Sequence, residues 1–353
     1  MNPQGLNRPF YVIGENIHTT RAVLREGRLV VTSPSGQEAV RYTTTAGETR
    51  YLPIPEEFKR RQDYQEGKVK HVMMAVRAAM CGVESGAESA AGEAMTYLRT
   101  LAEKQVRAGA DFLDLNVDEL SWNRDEQKAA MDWLVRALEP LSPVPLSIDS
   151  SNQEILLTGI QACEGRAGKP LLNSASLERI DALDIARHYE LPVVVTSAGA
   201  SGMPRNAEDR VNHASQMVEA ALAKGISLER MYVDALVFPI SVDGQFVIQC
   251  LDAFRQLRAK YGERIHLTGG LSNVSFGMPC RKLINEVFIN LAVEAGADSG
   301  IVDPVASDLN RIFLADKQSR PYQLALEMLL GRDPGCVNYL EAYREGELEL
   351  AVV

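Results

Sequence analysis

Short apolar runs in this chain stop repeatedly on a carboxylate or an amide. Glu15 and Asn16 follow YVIG, Asp114 and Asn116 lie in DFLDLNV, and Asp149 closes VPLSID. Asn173 closes PLLN, Asp234 stands in RMYVDALV, and Asn273 sits in the small-residue loop GGLSN behind Ile265–Leu267. Carboxylates offer acceptors, amides offer both donors and acceptors, and no member of the set is basic. Such groups suit a neutral heteroaromatic ligand with several ring N–H groups and carbonyls. A phosphorylated ligand would ask for backbone amides and basic groups behind the last strands, but the last strand reads SGIVDP, without a Gly-rich turn. A metal centre would ask for clustered ligands, and the five histidines are dispersed. His71, His188, His213 and His266 fall on expected helices or within a strand; His18, after the first strand, is the one placed near the mouth of a site, and a partly buried loop histidine is the simpler expectation for it.

Each of these residues also has a plainer reading. Asp and Asn favour the position that caps a helix N-terminus, so Asp149 in IDSSN, or Asn173-Ser174, could simply start the next element. Recurrence at six or seven strand ends is what favours a ligand rim over a set of unrelated caps.

The elements that would carry these side chains alternate along the chain. Adding Tyr11–Gly14 at the front, strands are expected at 111–117, 144–149, 170–173, 192–197, 230–237, 264–268 and 298–302. Helices are expected at 90–108, 124–138, 152–163, 178–189, 207–223, 245–260 and 281–295, with more beyond 307. The helix after Asn273 is strongly periodic, with Leu283, Ile284, Val287, Phe288, Leu291, Ala292 and Ala295 on one face. Eight strands alternating with helices predict an α/β fold, a closed (β/α)8 TIM barrel, with site residues at the strand ends. The alternative, an open doubly wound sheet, would carry a Gly-rich phosphate turn after its first strand, and GENIHTT is not one.

Residues 19–89 interrupt this series as a β-containing insertion after the first strand. The stretch RLVVTSPSGQEAVRYTTTAGETRYLPIP alternates around Ser35-Gly36 and Ala46-Gly47, which predicts two or three antiparallel strands. FKRRQDYQEGKVKHVMMAVRAAMCG reads as helical, with a basic first half and a stripe of Val72, Met73, Val76, Ala79 and Met80. The insertion could cover the site, form a dimer contact, receive a partner protein or decorate the surface. With no internal repeat, the expectation is a single domain over residues 1–353 containing this insertion.

Bulk properties narrow the class. At 353 residues the chain can bury a large core, and 24% charged and 46% hydrophobic residues are ordinary for a globular enzyme. A net charge of -10 argues against nucleic acid as the main partner. No apolar run reaches the length of a membrane helix, and MNPQGLNRPFYVIGEN lacks the charge-then-apolar order of a signal peptide. Cys81, Cys163, Cys250, Cys280 and Cys336 are scattered without a C-x-x-C pair, as expected of free thiols in a cytoplasmic protein.

Taken in order, GENIHTT, DLNV, the DSSN turn, LLNSAS, YVDALVFP and GGLSNVSFG resemble the pterin-binding methyltransferases. These move a methyl group between methyltetrahydrofolate and a corrinoid protein, and the folate module of cobalamin-dependent methionine synthase is similar. The resemblance covers the first strand and residues from about 105 to 305. It implies that Asp149, Asn173 and Asp234 grip the pterin ring and that Asp114 and Asn116 line the pocket floor. It further implies that Asn273 stands beside pterin N5 as the catalytic residue, with Gly270 and Arg281 at neighbouring positions of that loop. Tetrahydrofolate or methyltetrahydrofolate would be the substrate, and no metal would be held by this chain. Because no Asp-x-His-x-x-Gly motif occurs, the corrinoid is expected on a separate protein. A homodimer is common in the family.

Two residues depart from the family pattern: Phe276 stands where some members carry Gln, and Asp118 where many have Gly. Dihydropteroate synthases share the barrel and form the near alternative. Their loop after strand seven carries a Lys and their strand eight leads to Arg-x-His, whereas this chain reads LSNVSFG and IVDPVAS. A folate-binding protein without turnover is the other alternative; it would keep the ring-gripping residues without needing Asn273.

Overall fold

The computed structural model describes residues 9–85 and 88–348, so the N-terminal residues on which the signal-peptide expectation bears lie largely outside it. Its strands are β1 (Tyr11–His18), β2 (Phe112–Asn116), β3 (Leu146–Asp149), β4 (Leu171–Ala175), β5 (Val193–Thr196), β6 (Met231–Asp234), β7 (His266–Thr268) and β8 (Ser299–Val302). They belong to one eight-stranded sheet. With helices between successive strands, the fold is the α/β (β/α)8 barrel class that the alternation predicts. β2, β4, β5 and β6 are buried along their whole length. That burial is why their sequences read as near-continuous apolar runs rather than alternating ones.

The chain divides into two compact units, residues 14–171 and residues 1–13 with 172–353. In the first, β1 runs on to His18, past the expected stop at Gly14. Val12, Ile13 and Ile17 are fully buried, and the Asn16 amide donates to Gln105 Oε1 at 2.9 Å. Glu15, Asn16 and His18 are therefore strand residues and not loop residues.

The insertion in this unit contains a three-stranded antiparallel sheet of Val30–Thr32, Glu38–Thr43 and Thr49–Pro53. Its turns fall at the predicted glycines, Gly36 (φ +81) and Gly47 (φ +87), where a left-handed backbone favours a residue without Cβ. The helix expected through residues 58–82 is broken. Two four-residue helices, Glu56–Lys59 and Gln62–Gln65, precede a short strand, Lys68–Val69, paired with Val23–Leu24, and the long helix His71–Ser85 starts only then. Gly67 adopts φ +83 at the break. The basic half buries Phe58 and Tyr64, one in each short helix, and Val69 in the strand that follows, which is too little apolar surface to hold a continuous helix.

β2 and β3 pair in parallel, with Asn116 opposite Asp149. The helix after β3, Gln153–Ala162, is capped by Asn152, whose side chain accepts from the amides of Glu154 and Ile155. Asp149 is thus free of the capping role that its sequence position allowed.

In the second unit β5 pairs with both β4 and β6, and β6 with β7. Ile301 of β8 donates its amide to the Gly269 carbonyl at 2.9 Å. Helices Ala207–Ala223, Gln245–Tyr261 and Arg281–Glu294 follow β5, β6 and β7, and three shorter ones, Leu309–Phe313, Arg320–Leu329 and Val337–Arg344, close the described chain. Among the described residues no helix is long and apolar enough to cross a membrane.

Candidate active site

In the unit of residues 14–171, the predicted residues of β2 and β3 come together with one that the sequence reading set aside. Register places Asn116 beside Asp149, and the Asn116 amide donates to Asp149 Oδ2 at 2.9 Å. Asp114, fully buried, pairs through Oδ2 with His18 Nε2 at 2.8 Å. Burial alone would lower the His18 imidazole, but the hydrogen bond and charge of Asp114, with the charges of Asp149 and Glu15, outweigh it and raise its pKa. Burial, then the Asp114 charge, holds the Asp149 carboxyl well above the usual carboxylate range, although His18 and Asn116 pull the other way. One ligand-type atom from each of His18, Asp114 and Asp149 lies within 4.8 Å of the other two. The His18–Asp114 contact has the geometry of a hydrogen-bonded ion pair.

Asp118, the departure from the family's glycine, has a structural duty in this unit. Its carboxylate accepts from Ser150 Oγ at 2.6 Å and from the Ser151 amide at 2.8 Å, tying the chain after β2 to the turn after β3. Its own amide donates to Asn116 Oδ1 at 2.9 Å, so both ends of the Asn116 amide are fixed.

In the other unit, Asn173 is buried on β4 opposite Val194, and its peptide bond to Ser174 is cis. Asp234 ends β6, between Thr196 of β5 and Thr268 of β7. Its Oδ1 accepts from the Leu236 amide at 2.7 Å, and burial pushes its carboxyl up to about 6 against that bond and the Arg210 charge. The chain after β7 passes next to it: a Cβ on Gly269 would lie 3.3 Å from Asp234 Oδ1. At Gly270 a Cβ would lie 2.7 Å from Asn273 Nδ2, so the missing side chain makes room for the Asn273 amide. Asn273 is exposed, inside a single 3-10 turn, Leu271–Ser275.

Arg281 opens the next helix and points back, donating to Ser275 Oγ and the Ser272 carbonyl at 3.0 Å each and stacking on Phe276. It braces the Asn273 loop from behind. Within this unit the structure therefore groups Asp234, Gly270, Asn273 and Arg281, while Asn173 stands two strands from Asp234.

Arg210 has a place here that its sequence context does not announce. It is fully buried in the helix after β5 and donates to the Ala235 carbonyl at 3.0 Å, with its guanidinium over the Phe238 ring. It thereby shapes the chain after Asp234, where Leu236 takes φ +59. Nothing in MPRNAEDR marks this arginine, because the carbonyls of Ala235 and Leu236 that it binds are distant in sequence.

Comparison with known proteins gives the family. The pterin binding enzyme family matches residues 65–303. A methylcorrinoid:tetrahydrofolate methyltransferase of Eubacterium limosum is 30% identical over 261 residues, covering 71% of this chain and 89% of that protein. The chain belongs to the pterin-binding enzyme family. A methionine synthase of Mycobacterium leprae is 29% identical over 250 residues, which cover 66% of this chain but only 20% of that much longer protein. Among solved structures, a Xanthomonas albilineans dihydropteroate synthase complex aligns with a TM-score of 0.51 and 19% identity, over 63% of this chain and 84% of that one. The dihydropteroate synthase of Stenotrophomonas maltophilia gives a TM-score of 0.51 at 19% identity, over 62% and 86%. At such identity these two report the fold alone. For a pterin-binding enzyme, buried carboxylates and amides at strand ends are a chemically fitting donor and acceptor set, since a pterin ring presents amide and amidine N–H groups.

Proposed function

We propose that this enzyme moves a methyl group between N5 of methyltetrahydrofolate and the cobalt of a corrinoid carried by a separate protein. The observation that supports this most directly is the GGLSN loop, in which Gly270 makes room for an exposed, uncharged Asn273 amide. The likeness to the methylcorrinoid:tetrahydrofolate methyltransferase supports the same reading. Asp149, Asn173 and Asp234 are proposed as contacts of the pterin ring, with Asp114 and Asn116 beneath it and Arg281 supporting the loop. A carboxylate facing the ring amidine accepts two parallel N–H bonds, which fixes orientation together with affinity. We take the whole chain, with residues 19–89 as an insertion, to act as one pterin-binding domain in a homodimer.

The chemistry explains why an amide suffices at Asn273. As the methyl carbon leaves N5, the electron pair of the C–N bond returns to nitrogen, and an unprotonated nitrogen anion is too basic to leave at neutral pH. N5 must gain a proton or a strong hydrogen bond in that step. An asparagine whose hydrogen bond tightens as charge develops lowers the barrier without itself titrating. The corrinoid supplies the nucleophilic metal when its carrier docks, so the chain itself needs only to bind, orient and hydrogen-bond. The same groups serve transfer in either direction.

The test is titration of the purified protein with methyltetrahydrofolate, followed by mixing with a reduced corrinoid protein while the cobalt absorbance is followed. Folate binding with a methyl-dependent change of the cobalt spectrum is the expected result. Condensation of a pterin diphosphate with an aminobenzoate would sink the methyltransferase reading, and binding without any spectral change would leave only a folate carrier.

A further inference from the structure

His18 is the feature of the site that the methyl-transfer reading leaves unused. It sits near the end of β1, largely buried, in the unit that also holds Asp114 and Asp149. Two carboxylates this close in a dry environment resist joint ionisation, because each charge raises the cost of the other. The surroundings add more negative charge. Glu15 lies on the same strand, with Arg21 at 3.6 Å from it, and Asp118 beyond β2 also acts on Asp149. Among the described groups that weigh most on Asp149, Asp114 and Asp118 are negative and His18 is the positive one. Asn116 holds Asp149 by Oδ2. Oδ1 makes no hydrogen bond among the described residues, and the residue is only partly buried, which suits an acceptor waiting for a ligand.

We propose that His18 is a positioning residue of the pterin site: paired with Asp114, its positive charge favours the ionised form of Asp149, which accepts the N–H groups of the ring. The proposal deepens the folate reading above and rests on it. In this arrangement His18 and Asp114 form a nearly neutral pair, so the next negative charge can settle on Asp149. Replace the imidazolium by a neutral side chain and Asp149 faces Asp114 and Asp118 uncompensated. Its ionisation then moves to higher pH, and tight pterin binding moves with it.

The experiment is the dissociation constant of methyltetrahydrofolate, by calorimetry or fluorescence, across pH 5 to 9 for the wild type and His18→Gln. Affinity is expected to rise with pH as Asp149 ionises, with a midpoint about one pH unit higher in His18→Gln. Titration of the ligand itself is common to both proteins and cancels in the comparison. His18→Asn, smaller and likewise neutral, carries the same expectation should the glutamine variant not fold. His18→Lys, which restores a positive charge, should return the midpoint towards wild type, and Asp149→Asn should keep only the step near pH 6 that Asp234 supplies, which a further His18→Gln change should not move. A purely structural histidine would weaken binding at every pH and leave the midpoint in place, and that result overturns the proposal. Absence of folate binding by the wild type at any pH would instead overturn the functional reading itself.

Discussion

Asn273 is exposed and carries the most specific expectation of the candidate residues. Its main chain is pinned: its amide donates to the Gly270 carbonyl at 3.0 Å, and its own carbonyl accepts from Phe276 at 3.1 Å. The backbone thus does the positioning, and truncating the side chain leaves the turn intact. Asn273→Ala should lower the methyl-transfer rate by about ten- to a thousandfold, the usual worth of one donor that acts only in the transition state. Folate affinity should stay within a few-fold of wild type. Single-turnover kinetics with a corrinoid protein, beside calorimetry on the same samples, separates the two quantities, and an unchanged rate removes Asn273 from the mechanism. Arg281 is a different kind of residue. Its contacts with Ser272, Ser275 and Phe276 face the loop, so the part proposed for it is to hold the loop that carries Asn273.

The element that matters most is the single helical turn between β7 and the helix Arg281–Glu294. Gly270 stands at its entrance, and a methyl group there would press on Asn273 Nδ2 at 2.7 Å. Gly270→Ala should therefore displace the amide while leaving its chemistry whole. A fall in kcat of about ten- to a hundredfold with little change in folate affinity is expected, because a shift near 1 Å is enough to spoil a positioned donor. Equal rates for Gly270→Ala and wild type would mean that the loop has slack and that its geometry does not set the rate. Elements of this kind differ in how far sequence alone reveals them. The helices Arg124–Leu138 and Ala207–Ala223 keep the boundaries that periodicity predicts, since a long apolar stripe and an Asn cap specify both face and start. β1 runs four residues beyond its expected end because Asn16 and His18 find buried partners in Gln105 and Asp114, and polar strand residues with distant partners look like loop. The helix expected through Gly67 breaks because its basic half has no continuous apolar face. The carboxylates and amides of the candidate site are proposed from their recurrence at strand ends, a pattern visible in the sequence. The sequence places His18 near the mouth of a site, but its pairing with Asp114 is not visible there, and neither are the contacts of Arg210 with Ala235 and Leu236, because those partners lie far away in the chain.

At the scale of the whole molecule, buried acids weaken the fold that carries them, and this can be measured. Asp234 ionises at about 6 in the folded protein, raised chiefly by burial, but at an ordinary carboxylate pKa once unfolded. Between those values the folded state binds more protons than the unfolded state, so this group's contribution to stability is fullest at low pH and is lost as pH rises through about 6. Asp149 is raised as well and acts in the same direction. His71 opposes them. Burial, with the Arg21 charge, lowers it to about 3, so its imidazole stays neutral in the fold and stability falls when pH drops below the ordinary histidine range. The whole-protein pH profile therefore mixes opposing signs, and a difference between two proteins isolates one group. Asp234→Asn removes the buried charge and keeps an oxygen that can accept the Leu236 amide. Relative to wild type it should be more stable at pH 8 by about 1–3 kcal/mol, and this gain should shrink towards zero as pH falls to about 4. Denaturant melts of both proteins at several pH values give the difference directly, and a gain independent of pH would mean that Asp234 ionises alike in the folded and unfolded chain. The same substitution should weaken methyltetrahydrofolate binding, because the carboxylate that strains the free protein is the one proposed to hold the ring. Saturating folate should then raise the melting temperature of the wild type more than that of the variant, which ties the acidity of the site to its ligand through stability alone.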